Sequence, residues 1–176
     1  MRGKVSNFSL LSITMSYRRN TLGQVVNLDE LLQLIQEHKR QGKKIVATNG
    51  CFDIIHVGHV RYLKQAREFG DILVVGLNTD ESVRKLKGPT RPVNNENDRA
   101  EVMAALNPVD YVVLFNEETA VELLGKIKTD IYAKGGDYTL DTLPETEIVH
   151  SNGGKVAFIP FVDGKSTTNI IEKIKD

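Results

Sequence analysis

Apolar residues recur along this chain with two alternating periods. Short β-branched or aliphatic runs predict buried strands at residues 44–48, 72–77, 111–115, 130–133 and 156–160. Between them, apolar positions three and four apart predict helices at 57–69, 80–86, 95–106, 118–127, 144–150 and 167–175. A further helix is expected ahead of the first strand. It opens at Asn27 as cap with Glu30 at the reach-back position, carries a stripe of Leu31, Leu32, Leu34 and Ile35, and stops near Gly42. Ala100, Val102, Met103, Ala105 and Leu106 are the core candidates of the 95–106 helix. Alternation of strands and helices along the chain calls for a parallel sheet covered on both faces. The reading is one α/β domain, doubly wound and Rossmann-like, over residues 23–176. In such sheets ligands bind beyond the carboxyl ends of the strands. Three chemically rich stretches fall at such ends: 49–59, 134–138 and 163–168.

The first 22 residues do not fit this alternation and are expected to form a loosely ordered extension. Phe8 to Met15 is only mildly apolar, and Arg18-Arg19 stand where a signal peptide would carry small residues. Met15 is a candidate alternative start. No stretch approaches the roughly 20 apolar residues of a membrane span.

Charge changes the picture by what it removes. Lys plus Arg and Asp plus Glu number 23 each, so nothing global favours nucleic acid or a membrane surface. Any anion site must be built locally. A single cysteine, Cys51, rules out an intrachain disulfide framework and suits a reducing, cytoplasmic setting.

The stretch Thr48-Asn49-Gly50-Cys51-Phe52-Asp53 follows a strand, and His56-Val57-Gly58-His59 enters a helix. Gly50 allows close approach of backbone amides, which with the helix N-terminus suit phosphate oxygens. His56 and His59 are three apart and share a face, with Gly58 leaving room between them. Paired imidazoles can donate to oxygens whose charge grows during phosphoryl chemistry. Taken alone the pair also fits ordinary surface histidines. A zinc site lacks further ligands nearby, and neither G-x-G-x-x-G nor a P-loop follows the first strand.

These residues resemble the H-x-G-H nucleotidyltransferase superfamily, whose second signature matches Gly164-Lys165-Ser166-Thr167-Thr168-Asn169-Ile170-Ile171. Four stretches look like the subfamily that adenylylates D-glycero-β-D-manno-heptose 1-phosphate: Leu86 to Val93, Asp98 to Glu101, Lys134-Gly135-Gly136-Asp137-Tyr138, and the Ser-Thr-Thr run. The resemblance runs from about Val26 to the C-terminus. It implies ATP and heptose 1-phosphate as substrates, Mg2+ as counter-ion of the triphosphate without a protein cage, and a homodimer. Many relatives carry the domain behind a sugar kinase, so a separate heptose kinase is expected here.

The resemblance also implies roles. His56, His59 and Lys87 are the catalytic candidates. Gly50, Cys51, Phe52, Gly58, Arg91, Arg99, Ser166, Thr167 and Thr168 would hold nucleotide or phosphate, with Lys85 as a possible helper of Lys87. Asp53, Lys134, Gly135, Gly136 and Asp137 would meet the acceptor. Blander readings stand beside these: Ser166–Thr168 as a helix cap, Arg99 as a helix residue paired with an acid, Asp53 as a cap, 135–137 as a tight turn. Lys165 stands where relatives often carry a neutral or aromatic residue. Cys51 reads as a packing residue. Rival functions are a cytidylyltransferase acting on glycerol 3-phosphate and a non-catalytic nucleotide-binding regulatory module.

Overall fold

The computed structural model describes residues 22–136, 138–160 and 164–175. The expected extension therefore lies almost wholly outside the described residues, as do Met15, Asp137 and Asp163. Six strands form one parallel sheet: β1 (Gln24–Val25), β2 (Ile45–Gly50), β3 (Ile72–Asn78), β4 (Tyr111–Phe115), β5 (Ile131–Gly135) and β6 (Lys155–Ile159), in the order β1-β4-β3-β2-β5-β6. The chain steps outward one way through β2, β3 and β4 and the other way through β5 and β6. The order therefore reverses between β2 and β5, where a crevice opens at the carboxyl ends.

Helices cover both faces. α1 (Leu28–Arg40), α5 (Val121–Ile127) and α6 (Thr146–Ser151) supply Leu31, Ile35, Leu124, Ile127 and Val149 to a cluster with Ile45, Ala47, Val74 and Tyr132. α2 (Val57–Glu68) and α4 (Glu96–Ala104) supply Leu63, Ala66, Ala100 and Met103 to the opposite cluster, with Val46, Val75, Val112 and Ala133. Alternate strand residues thus feed opposite cores, as the pleat requires. α3 (Asp80–Lys87) follows β3, and α7 (Thr167–Lys175) ends the described chain.

The caps follow the sequence rules. Asn27 accepts from the Glu30 amide, and Asn95 accepts from the amides of Asn97 and Asp98. Several expectations are corrected. α4 begins after Asn95 because that side chain is the cap, and it ends at Ala104. Val102 and Ala105 face solvent instead of the core. α5 starts at Val121 and α6 at Thr146, later than the apolar spacing suggested. The two-residue edge strand β1 was not expected, since so short a run leaves no periodicity to read.

Candidate functional site

A cleft of about 520 Å³ opens over the carboxyl ends of the strands. It is lined from all three stretches marked in the sequence: Asn49 to Asp53 with His56, Gly58 and His59; Lys134, Gly135 and Tyr138; and Lys165 to Thr168. Lys87 and Arg91 close it from the side of α3. Its cations are Lys87, Arg91, Lys134 and Lys165 and its carboxylates Asp53 and Glu118, in a chain of formal net charge +0. Positive charge is thus concentrated locally within a neutral molecule.

The imidazoles are placed by the start of α2. His56 is its N-cap, with Nδ1 accepting from the Gly58 amide at 3.1 Å. A neutral His56 with Nδ1 so engaged carries its proton on Nε2. The two rings stack with centroids 3.8 Å apart, and Phe52 meets His59 edge-on at 5.2 Å. A Cβ on Gly58 would lie 2.9 Å from the His56 ring. Gly50 is equally confined, since its Cβ would meet the Phe52 ring at 2.9 Å. Phe52 itself has φ +41°, the left-handed region that a bulky residue rarely adopts. Burial lowers the His59 pKa to about 4, helped by neighbouring His56. Burial also lowers that of His56, and the Lys165 ammonium pushes the same way. Both imidazoles are therefore uncharged donors at neutral pH.

The hydroxyl run at α7 divides its labour. Ser166 Oγ accepts from the Asn169 amide at 3.1 Å and caps the helix. Thr167 Oγ1 donates to the Ile54 carbonyl at 3.2 Å, tying α7 to the loop before α2. Thr168 is exposed in the lining.

Two residues expected to contact ligands are engaged by protein partners. Arg99 is 2% exposed and absent from the lining. Its guanidinium donates to the carbonyls of Asn94 (3.0 Å), Cys51 (2.7 Å) and Asn78 (2.9 Å) and to Asp80 Oδ1 (2.7 Å). It braces the ends of β2 and β3 against α3 and the loop before α4. Asp53 does line the cleft, yet its Oδ2 accepts from Arg91 Nε at 2.6 Å. Its Oδ1 accepts from the amides of Val93 and Asn94 at 2.8 and 3.1 Å. It anchors the loop after α3; it caps no helix and does not pair with Lys87. Arg91 is consequently held by Asp53 at the cleft wall. Lys85 pairs with Glu81 at 2.8 Å on the outer face of α3 and does not line the cleft. Gly136, with φ +114°, donates to Ile159 and makes the turn that leaves β5.

Sequence reasoning reached Lys134 but missed Tyr132 and Tyr62, its neighbours in the floor of the cleft. Tyr132 donates to Asn49 Oδ1 at 2.5 Å, and Lys134 Nζ donates to both Asn49 Oδ1 (3.2 Å) and the Tyr132 oxygen (3.1 Å). Tyr62 donates to the Ala133 carbonyl at 2.9 Å and pairs with Thr48 at 2.6 Å, and burial pushes its pKa up to about 12. Tyr138 lies 5.3 Å from the Lys134 ammonium. The available signal was the strand period, which puts Tyr132 with Lys134 on one face and Asn49 on the same face of its own strand. Cys51 is held as a thiol by burial, against the pull of Lys87, Arg99 and Arg91. Among the described residues no three His, Cys, Asp or Glu side chains converge on a metal position. Nor is any described helix long and apolar enough to cross a membrane.

Comparison with known proteins bears on the same region. The cytidylyltransferase-like family profile matches residues 47–173. The bifunctional protein HldE of Geobacter sulfurreducens is 54% identical over 151 residues, covering 86% of this chain and 31% of that one. The protein of the same name from Methylobacillus flagellatus is 56% identical over 151 residues, with the same coverage. The chain thus spans about a third of the length of these relatives. The crystal structure of the lipopolysaccharide core biosynthesis protein from Thermoplasma volcanium GSS1 aligns with a TM-score of 0.56 at 30% identity, covering 70% of this chain and 100% of that one. Pantoate-beta-alanine ligase from Francisella tularensis, complexed with beta-gamma ATP and beta-alanine, aligns at 0.57 over 87% of this chain and 77% of that one. At 13% identity this second likeness speaks for the fold alone.

Proposed function

The chain belongs to the cytidylyltransferase-like family of nucleotidyltransferases, and from that premise we propose that it transfers AMP from ATP to D-glycero-β-D-manno-heptose 1-phosphate. The products would be ADP-heptose and pyrophosphate, for assembly of the lipopolysaccharide core. The observation that carries the reading is the stacked His56–His59 pair and the Ser166–Thr168 run lining one cation-rich cleft. The relatives named HldE and the lipopolysaccharide core biosynthesis protein support the choice of acceptor.

In this reading the acceptor phosphate attacks the α-phosphorus in line, and pyrophosphate leaves. A phosphate is already a nucleophile, so positioning and charge stabilisation supply the rate. The uncharged imidazoles donate hydrogen bonds to the α-phosphate as it becomes five-coordinate. Lys87, Lys165 and Arg91 supply the positive charge, and the backbone of residues 50–52 and the hydroxyls of 166–168 hold the remaining phosphate oxygens. Lys134, Gly135 and Asp137 belong to the acceptor side. Magnesium enters on the triphosphate. The polar lining is mostly ammonium, imidazole and hydroxyl groups, and of its two carboxylates, Asp53 and Glu118, the first is already engaged, so an ion carried by phosphate oxygens fits better than a carboxylate cage. A homodimer, a cytoplasmic setting and a separately produced heptose 1-phosphate complete the proposal.

The test is pyrophosphate release with magnesium, crossing ATP or CTP with heptose 1-phosphate or glycerol 3-phosphate. Release with ATP and the heptose alone is the expected result. Release with CTP and glycerol phosphate would keep the histidine roles and replace the substrates. Tight ATP binding with no release in any pairing would make the chain a regulatory module.

A further inference from the structure

Where β2 and β5 diverge, a buried polar cluster underlies the cleft on the face opposite α2. Asn49, Tyr132 and Lys134 lie on the face that carries Ile45 and Ala47, whereas α2 packs on the other. Glu145 belongs to this cluster and has no role among those assigned above. Glu145, just before α6, is 2% exposed and does not line the cleft. Its Oε1 accepts from the Ala120 amide at 3.0 Å, which fixes it at the start of α5, and lies 3.9 Å from Lys134 Nζ.

That separation is informative. An ammonium has three N–H donors. Lys134 gives hydrogen bonds to two uncharged oxygens, of Asn49 and Tyr132. The carboxylate stands beyond hydrogen-bond reach, so it offsets the charge without occupying the third donor. We propose that Glu145 is a positioning residue of this cleft, holding the Lys134 ammonium at the crevice so that its remaining N–H meets a phosphate oxygen of a bound substrate. The proposal rests on the nucleotidyltransferase reading of the same cleft. Nucleotide and acceptor both offer that phosphate chemistry.

The electrostatics agree. Burial lowers the Lys134 pKa, and Glu145 opposes that shift more than any other group. The other groups facing the ammonium are Cys51, Tyr132 and Tyr138. Burial drives Cys51 and Tyr132 toward their neutral forms, so neither replaces the carboxylate. Without Glu145, Lys134 would lose its proton at a lower pH.

Glu145→Gln keeps an acceptor for the Ala120 amide and removes only the charge. Its first readout needs no catalysis: NMR titration of the Lys134 ammonium in unliganded protein. Lys134 is expected to titrate at a clearly lower pH in the variant than in the wild type. The second readout is steady-state kinetics with ATP and heptose 1-phosphate. At about pH 9 one KM should rise at least about tenfold with kcat within about twofold, the loss expected for one charge-assisted contact. The difference should shrink toward neutral pH. Lys134→Arg placed in the Glu145→Gln background should flatten the pH dependence, because a guanidinium stays charged. A rise in the KM for ATP assigns a nucleotide phosphate, and a rise in the KM for the heptose assigns the acceptor phosphate. Unchanged Lys134 titration, or a fall in kcat at every pH with both KM values unmoved, would overturn the proposal. A wild-type Lys134 already neutral at pH 7 would do so even if the variant failed to fold. Absence of any turnover in the wild type would instead count against the activity, leaving the titration to judge Glu145.

Discussion

His59 touches Phe52 on one side and His56 on the other, and that enclosure decides its chemistry. An imidazole whose pKa is lowered to about 4 contributes an N–H at neutral pH, not a charge. Its function in the proposal is that of an oxyanion-type donor. His59→Ala is expected to fold normally and lose at least about 100-fold in kcat, the usual consequence of removing one such donor. Near-normal turnover in this variant would remove His59 from the mechanism. The same burial makes a prediction about stability. The unfolded imidazole titrates near 6.5 and the folded one near 4, so between those values the unfolded chain binds the extra proton. This contribution is complete above about pH 6.5 and is lost as pH falls toward 4. Urea unfolding of the wild type over that interval should lose stability faster than His59→Phe, which carries no titrating group there. Parallel slopes would mean that the ring is more hydrated than its packing implies.

Near the cleft, a buried charged side chain joins several elements. Arg99 on α4 reaches the ends of β2 and β3, the start of α3 and the loop before its own helix. Removing its head strands the Asp80 carboxylate and three carbonyls. Arg99→Met should therefore cost about 3–5 kcal/mol in urea unfolding, as the loss of one partner of a buried pair does. A change under about 1 kcal/mol would show that the brace is dispensable. This interaction also marks where sequence reading stops. The run Ile72 to Leu77 can only be a buried strand, and β4 and α7 end where their patterns end. The His-x-Gly-His spacing and the Ser-Thr-Thr run, which line one cleft, were legible as chemically loaded stretches because their signals are local. The partners of Arg99, Asp53 and Glu145 were not legible because they lie 19 to 48, 38 to 41 and 25 residues away for the longer-range bonds. Nothing in a one-dimensional pattern says that an arginine on a polar-looking helix turns inward. Expected helix starts failed at α5 and α6 for a related reason: neither has a side-chain cap hydrogen bond to mark where it begins.

At the scale of the molecule, strand order makes the site. The order in which the chain adds parallel strands reverses between β2 and β5, and the cleft opens at that point with residues from both strands in its lining. α2 brings the imidazoles to one face of the sheet, while Tyr132, Lys134 and Glu145 gather on the other. Two substrates carrying phosphate could then be held from opposite sides of one crevice. The zero net charge of the chain leaves the cation-rich cleft as the place where a polyanion is attracted. The most direct test of this account follows the phosphorus atoms. ATP labelled at the α-phosphorus, and separately at the γ-phosphorus, is incubated with the protein, magnesium and heptose 1-phosphate. Transfer of AMP predicts the α label in the sugar nucleotide and the γ label in pyrophosphate. Appearance of the γ label in the sugar product, or in orthophosphate, would contradict it.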